Sequence, residues 1–100
     1  MVPKEYALMQ NYPNPFNPTT NIKFALPVAS RVGVEVYNLL GQKVRSLVSE
    51  NMNAGYHVVE WNGTGSTGEV VGSGVYFVRF SAEGVNGKAF NAVQKIMLMK

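Results

Sequence analysis

The residues in this chain able to do chemistry are few and far apart. His57 is the only histidine, and there is neither cysteine nor aspartate. The acids are Glu5, Glu35, Glu50, Glu60, Glu69 and Glu83, spaced singly. Acid–base hydrolysis needs two carboxyls held across one bond, and no such pair is suggested. A nucleophilic triad needs a histidine between a serine and a carboxylate. His57 instead alternates with Val59 and Trp61, which predicts a packed, hydrogen-bonded ring. One histidine without thiolates or aspartates cannot build an ordinary zinc site. Calcium loops need clustered carboxylates, and the loop 62–74 offers Glu69 alone. No metal and no cofactor is expected.

Residues 63–68 read Gly-Thr-Gly-Ser-Thr-Gly, a literal G-x-G-x-x-G. That motif works by placing a pyrophosphate at a helix N-terminus. The following Glu-Val-Val-Gly-Ser-Gly reads as loop and strand, so the match predicts a wide loop and no nucleotide site. Asn62-Gly63-Thr64 is a formal glycosylation sequon and reads as a turn. The 9 basic residues are scattered, and the net charge is only +3. No run tracks a phosphate backbone, so no nucleic-acid partner is expected. No apolar stretch reaches the roughly 18–20 residues of a membrane span. The absence of cysteine excludes disulfides and leaves the compartment open. No signal peptide opens the chain. If the parent protein is exported, its signal is expected upstream, with Met1 an added start.

The elements that must position these residues are strands. At 100 residues and 46% hydrophobic, the chain suits one globular domain. Alternation places Ile22, Phe24 and Leu26 on one face, then Val32, Val34 and Val36, then His57, Val59 and Trp61. Tyr76, Val78 and Phe80 follow, and finally Ile96 and Leu98. Turn signals separate these runs at Asn38–Gly41, Asn53–Gly55, Asn62-Gly63, Gly72–Gly74 and Asn86-Gly87. Val44 and Leu47 are three apart, so residues 42–49 are expected to start as a strand and then bend. No window holds a helical stripe. About seven short antiparallel strands predict an all-β sandwich of immunoglobulin or fibronectin type, with Trp61 in its core.

Tyr37, Tyr56, Val75 and Phe77 fall on faces turned away from this core. They form a candidate docking patch, or are covered by the N-terminal segment and loops. Exposed Tyr37 and Tyr56 also fit a carbohydrate platform.

The N-terminal run Asn11-Tyr-Pro-Asn-Pro-Phe-Asn-Pro-Thr-Thr20 is different in kind. Pro13, Pro15 and Pro18 fix φ and donate no hydrogen bond, and their preceding residues are pushed toward extended backbone. Residues 1–20 are therefore read as a stiff lead-in packed on a sandwich spanning 21–100. With Gln10-Asn11 through Thr20, Ile22, Phe24, Leu26-Pro27, Val36-Tyr37-Asn38, Gly41-Gln42, Val44, Ala54-Gly55, His57, Trp61-Asn62-Gly63, Gly68, Ser73–Phe77 and Lys95–Lys100, the chain resembles a known family. It is similar to the type A C-terminal sorting domain of the type IX (Por) secretion system. The pattern is shared with the immunoglobulin-like domain of flagellar hook-capping proteins.

The resemblance implies a non-catalytic module at the end of a larger exported protein, on the outer-membrane surface of a Gram-negative bacterium or outside the cell. The implied partners are the upstream cargo domain, an outer-membrane translocon and a sortase-like peptidase. The implied recognition end is Lys95, Ile96, Met97, Leu98, Met99 and Lys100. Strand addition along this end is one physical route to recognition. Relatives often carry aspartates after the Trp-Asn-Gly motif; this loop has none. A hook-cap assembly module and a carbohydrate-binding accessory domain are the alternatives.

Overall fold

A computed structural model describes residues 2–99. Its elements are β1 (Ala7–Leu8), β2 (Thr20–Leu26), β3 (Ser30–Asn38), β4 (Lys43–Met52), β5 (Gly55–Trp61), β6 (Gly74–Gly84) and β7 (Ala89–Leu98). They form a three-stranded sheet, β1-β2-β5, facing a four-stranded sheet, β4-β3-β6-β7. Every strand pair is antiparallel. The expected all-β sandwich is what the chain forms.

The core follows the period-2 alternation. Ile22, Phe24 and Leu26 from one sheet meet Val32, Val34, Val36, Val78 and Phe80 from the other. Phe24 and Phe80 join the two sheets with ring centroids 5.0 Å apart. At one end Trp61 is fully buried, with Phe16 at 5.6 Å and Tyr76 at 5.3 Å. Each such pair adds about 0.5–1.5 kcal/mol beyond the area it buries.

β4 departs from the expected bend. It continues to Met52, with register shifts opposite Val34/Glu35 and Val36/Tyr37. The shifts skip Leu47 and Val44. Each extra residue flips the parity of the strand, so Val44 and Leu47 both pack on the core despite their odd spacing. The same irregularities roughen an edge strand that would otherwise invite pairing.

The lead-in is part of the sandwich. Phe16 is 1% exposed and belongs to the core cluster. Tyr12 exchanges two backbone hydrogen bonds with Asn21, at 3.1 and 2.9 Å.

Candidate functional site

The terminal strand is built by a simple division of faces. Ile96 and Leu98 are buried, whereas Lys95, Met97 and Met99 are exposed. Its far edge is not free. The Phe16 N–H donates to the Met97 carbonyl and the Met99 N–H donates to the Phe16 carbonyl, both at 3.0 Å. The Met97 N–H donates to Asn14 Oδ1 at 3.1 Å. Strand addition over 97–99 therefore meets an edge already closed by the proline-rich segment. Lys100, the last residue of the expected recognition end, lies outside the described residues.

The lead-in is held in turn by a buried polar knot. The Asn11 side chain, 1% exposed, donates to Thr20 Oγ1 at 3.0 Å and to the Pro13 carbonyl at 3.3 Å. Thr20 Oγ1 donates to the same carbonyl at 2.8 Å. Asn and Thr thus satisfy a carbonyl that a proline-rich turn would leave unpaired. With its amide turned to satisfy both neighbours, Gln94 of β7 donates to the Met9 carbonyl at 2.8 Å and accepts the Asn11 N–H at 3.2 Å. The lead-in is therefore tied to both β2 and β7.

The Trp61-Asn62-Gly63 motif supports the same corner. The Trp61 indole N–H donates to the Thr64 carbonyl at 2.8 Å. Gly63 has φ +74, and a Cβ there would sit 3.3 Å from the Pro18 carbonyl oxygen. Left-handed backbone and a close approach together demand glycine. In the G-x-G-x-x-G stretch four backbone donors are already engaged. The N–H groups of Gly65, Ser66 and Gly68 go to the Glu69, Val44 and Gly65 carbonyls. The Thr67 N–H goes to Glu69 Oε2 at 3.1 Å. Hydrogen bonding by the Thr67 hydroxyl is the main cause that holds the Glu69 carboxyl below its ordinary pKa.

His57 Nε2 donates to the Asn53 carbonyl at 2.8 Å, and the ring stacks on Phe24 at 5.5 Å. The buried Tyr76 hydroxyl donates to the Gly72 carbonyl at 2.6 Å, and burial pushes its pKa up. Among the described residues no group of three metal-ligating side chains comes together.

The structure divides the expected docking patch. Tyr37 and Phe77 are direct partners across β3 and β6, on the outer face of the four-stranded sheet. Val75 faces Met97 one step further along. Tyr56 lies on the other sheet, opposite Ala25, with the Lys23 ammonium 5.1 Å from its ring centre. β5 pairs with β2 and not with β3, so its outward residues face the opposite direction. Tyr37 and Tyr56 consequently share no carbohydrate platform. Registers across the outer face align Lys43, Tyr37, Phe77 and Lys95 in one row. Glu35, one row below, accepts from the Tyr37 hydroxyl at 3.0 Å and from Lys43 Nζ at 3.1 Å. Beyond it Gly33, Ser46, Ser49 and Ser81 line a shallow trough of about 410 Å³.

Asn11, Asn14, Phe16 and Gln94 were not expected as positioning residues. For Asn14 the Asn-Pro pair is a visible signal, but its partner 83 residues away is not visible in the sequence.

A match to the FlgD Ig-like domain covers residues 12–86, which hold β2 through β6 and the buried Trp61. The chain belongs to that family. The Ig-like fold of FlgD relatives recurs in solved structures. FlgD from P. aeruginosa matches at 26% identity and TM-score 0.64, covering 79% of this chain and 61% of that one. Dimeric latent PorU from Porphyromonas gingivalis matches at 19% identity and TM-score 0.76, over 92% of this chain and 9% of its own. PorZ, an essential surface component of the type-IX secretion system of P. gingivalis, matches at 19% identity and TM-score 0.58, over 94% and 12%. At 19% identity the likenesses to PorU and PorZ carry the fold alone. The FlgD-like domain spans a small part of PorU and PorZ and under two thirds of that FlgD chain. No curated protein matches the chain.

Proposed function

We propose that this FlgD-like Ig domain is a non-catalytic sorting and anchoring module of type A. It directs a larger exported protein through an outer-membrane secretion system to the cell surface or beyond. Its partners are an upstream cargo domain, a translocon and a sortase-like peptidase. The observation that carries this reading is the last strand. The family match ends at residue 86, and β7 follows it, with Ile96 and Leu98 anchored in the core. Lys95, Met97 and Met99 present an ordered outward face on that anchor. Recognition then reads side chains on this face, since the backbone edge over 97–99 is engaged by Asn14 and Phe16.

The test is a signal peptide–reporter–domain fusion in a type IX-competent bacterium and in the same strain lacking the translocon. Surface or medium delivery in the first strain alone is expected, and replacing 95–100 by Gly/Ser is expected to abolish it. Equal periplasmic retention in both strains rejects the reading.

The flagellar reading is favoured equally by the family match and by the 26% identity to FlgD. In that reading the domain is an assembly module. Co-purification with flagellar hook subunits, without export of the fusion, would select it.

A further inference from the structure

The turn between β3 and β4 has the wrong composition for a solvent-facing tip. Leu39 and Leu40 are 71% and 84% exposed, where Gly, Asn, Asp or Ser are usual. The turn is nonetheless firmly held. Asn38 Oδ1 accepts the N–H groups of Leu40 and Gln42, each at 3.0 Å. The Asn38 side-chain amide donates to Gln42 Oε1 at 2.8 Å, and the Gly41 N–H donates to the Asn38 carbonyl at 3.0 Å. Gly41 supplies the required φ of +83. Three successive N–H groups are thus satisfied from within. Covering this tip with an apolar surface strands none of these three donors, which lowers the cost of burying the turn.

Register places the tip at the same end of the sheet as the last residues of the terminal strand, with β6 between them. Leu39 follows the Asn38–Tyr76 pair, at the end of the sheet where Val75 faces Met97. Met97 is 37% exposed and Val75 is half-buried. Lys95 lies exposed in the neighbouring row beside Phe77. The acid near these rows, Glu35, is already bonded to Lys43 and Tyr37. The patch therefore combines a preorganised apolar tip with an exposed cation.

We propose that the module docks through Leu39 and Leu40, with Val75, Met97 and Lys95 beside them, onto a protein partner whose apolar pocket is rimmed by carboxylates. Charge complementarity to Lys95 selects an acidic rim. The ordered tip selects a shaped pocket, because little side-chain or backbone freedom beyond the two leucines is lost on docking. This deepens the proposed function and rests on it for the partner's identity: the pocket belongs to the exit machinery.

The experiment compares three fusions in the type IX-competent strain: the parent, Leu39→Asn/Leu40→Asn, and Val85→Asn as a control at another exposed apolar site (79% exposed). Thermal unfolding of each isolated chain reports folding. Export of the parent and control, with export of the leucine variant reduced about tenfold or more at unchanged Tm, is the expected result. Undiminished export of the leucine variant overturns the docking surface. Loss of export with a lowered Tm calls on the milder Leu40→Ser, whose normal export overturns it and whose loss at unchanged Tm supports it. Co-sedimentation of the parent, but not the leucine variant, with phosphatidylcholine–phosphatidylglycerol vesicles overturns the protein occupant. Failure of the parent fusion itself to be exported overturns the sorting reading and, with it, the partner named here.

Discussion

Asn14 and Met97 stand 83 residues apart and are joined by a hydrogen bond from the Met97 N–H to Asn14 Oδ1 at 3.1 Å. Phe16, two residues on, takes the next two backbone groups of the same strand edge. The opening motif and the final strand of this domain are therefore one structural unit. Their order in the sequence conceals this, because the contact closes only when β2 through β6 have been placed between them. The proline run suits the task. Its missing N–H groups make it a poor strand for further pairing, so it seals the edge of β7 without offering a new one.

Replacing Asn14 by alanine removes one of the three hydrogen bonds that close this edge. The side chain is exposed, so the cost is small, about 0.5–1.5 kcal/mol. The local effect is larger in kind. Amide hydrogen exchange at Met97 is expected to accelerate while exchange in β3 stays near the global limit. Equal protection at Met97 in the variant and the parent would show that Asn14 is not the cap.

Phe16→Ala tests whether the lead-in is a support or an attachment. The ring is buried against Trp61 at 5.6 Å, and truncation of such a ring costs about 3–5 kcal/mol. A domain of this size has roughly 5–15 kcal/mol in total. Urea unfolding is therefore expected to show a large drop in midpoint, and a chain beginning after residue 16 is expected not to fold. A loss below about 1 kcal/mol would assign the lead-in to the surface.

How much of this was readable beforehand depended on range. Alternation at Ile22–Leu26, Val32–Val36 and Tyr76–Phe80 identified the inward faces directly, since the strand period is local. Val44 and Leu47 misled because bulges change parity without leaving a local mark, and the expected bend became two register shifts. Alternation turns Tyr37, Tyr56 and Phe77 outward, but outward from which sheet is a question of pairing. That β5 lies beside β2, which separates Tyr56 from Tyr37, is a long-range fact. In the sequence Leu39 and Leu40 mark only turn positions, because the exposure that makes them unusual belongs to the folded hairpin.

Thr20→Val examines the polar knot. Thr20 is fully buried and its hydroxyl both accepts from Asn11 Nδ2 and donates to the Pro13 carbonyl. Valine keeps the shape and leaves those partners less satisfied, at a cost of about 1–3 kcal/mol. Asn11→Ala is expected to cost a similar amount. The double variant should lose less than the sum, by about 0.5–3 kcal/mol, because the two side chains share one carbonyl. Strict additivity in a urea-denaturation cycle would mean that they act independently.

Acid should reveal the Glu35 cluster. Its carboxyl is held below the ordinary 4.5, first by the hydrogen bond from Lys43, against some desolvation, and then by the hydrogen bond from Tyr37. The folded chain thus binds this proton less tightly than the unfolded chain. The resulting stabilisation is complete above the unfolded value near 4.5 and disappears as pH falls through the lower folded value. The Lys43 partner is half exposed, with side-chain exposures of 52% and 29% for the pair, so solvent screening keeps the effect to at most about 1 kcal/mol. Glu35→Gln should therefore unfold at a lower urea concentration than the parent at pH 7, with the gap narrowing below pH 4.5. It should also narrow in high salt, where the ion pair is screened. A gap that stays constant from pH 7 into the acid range would remove Glu35 from the groups that set the stability of this face.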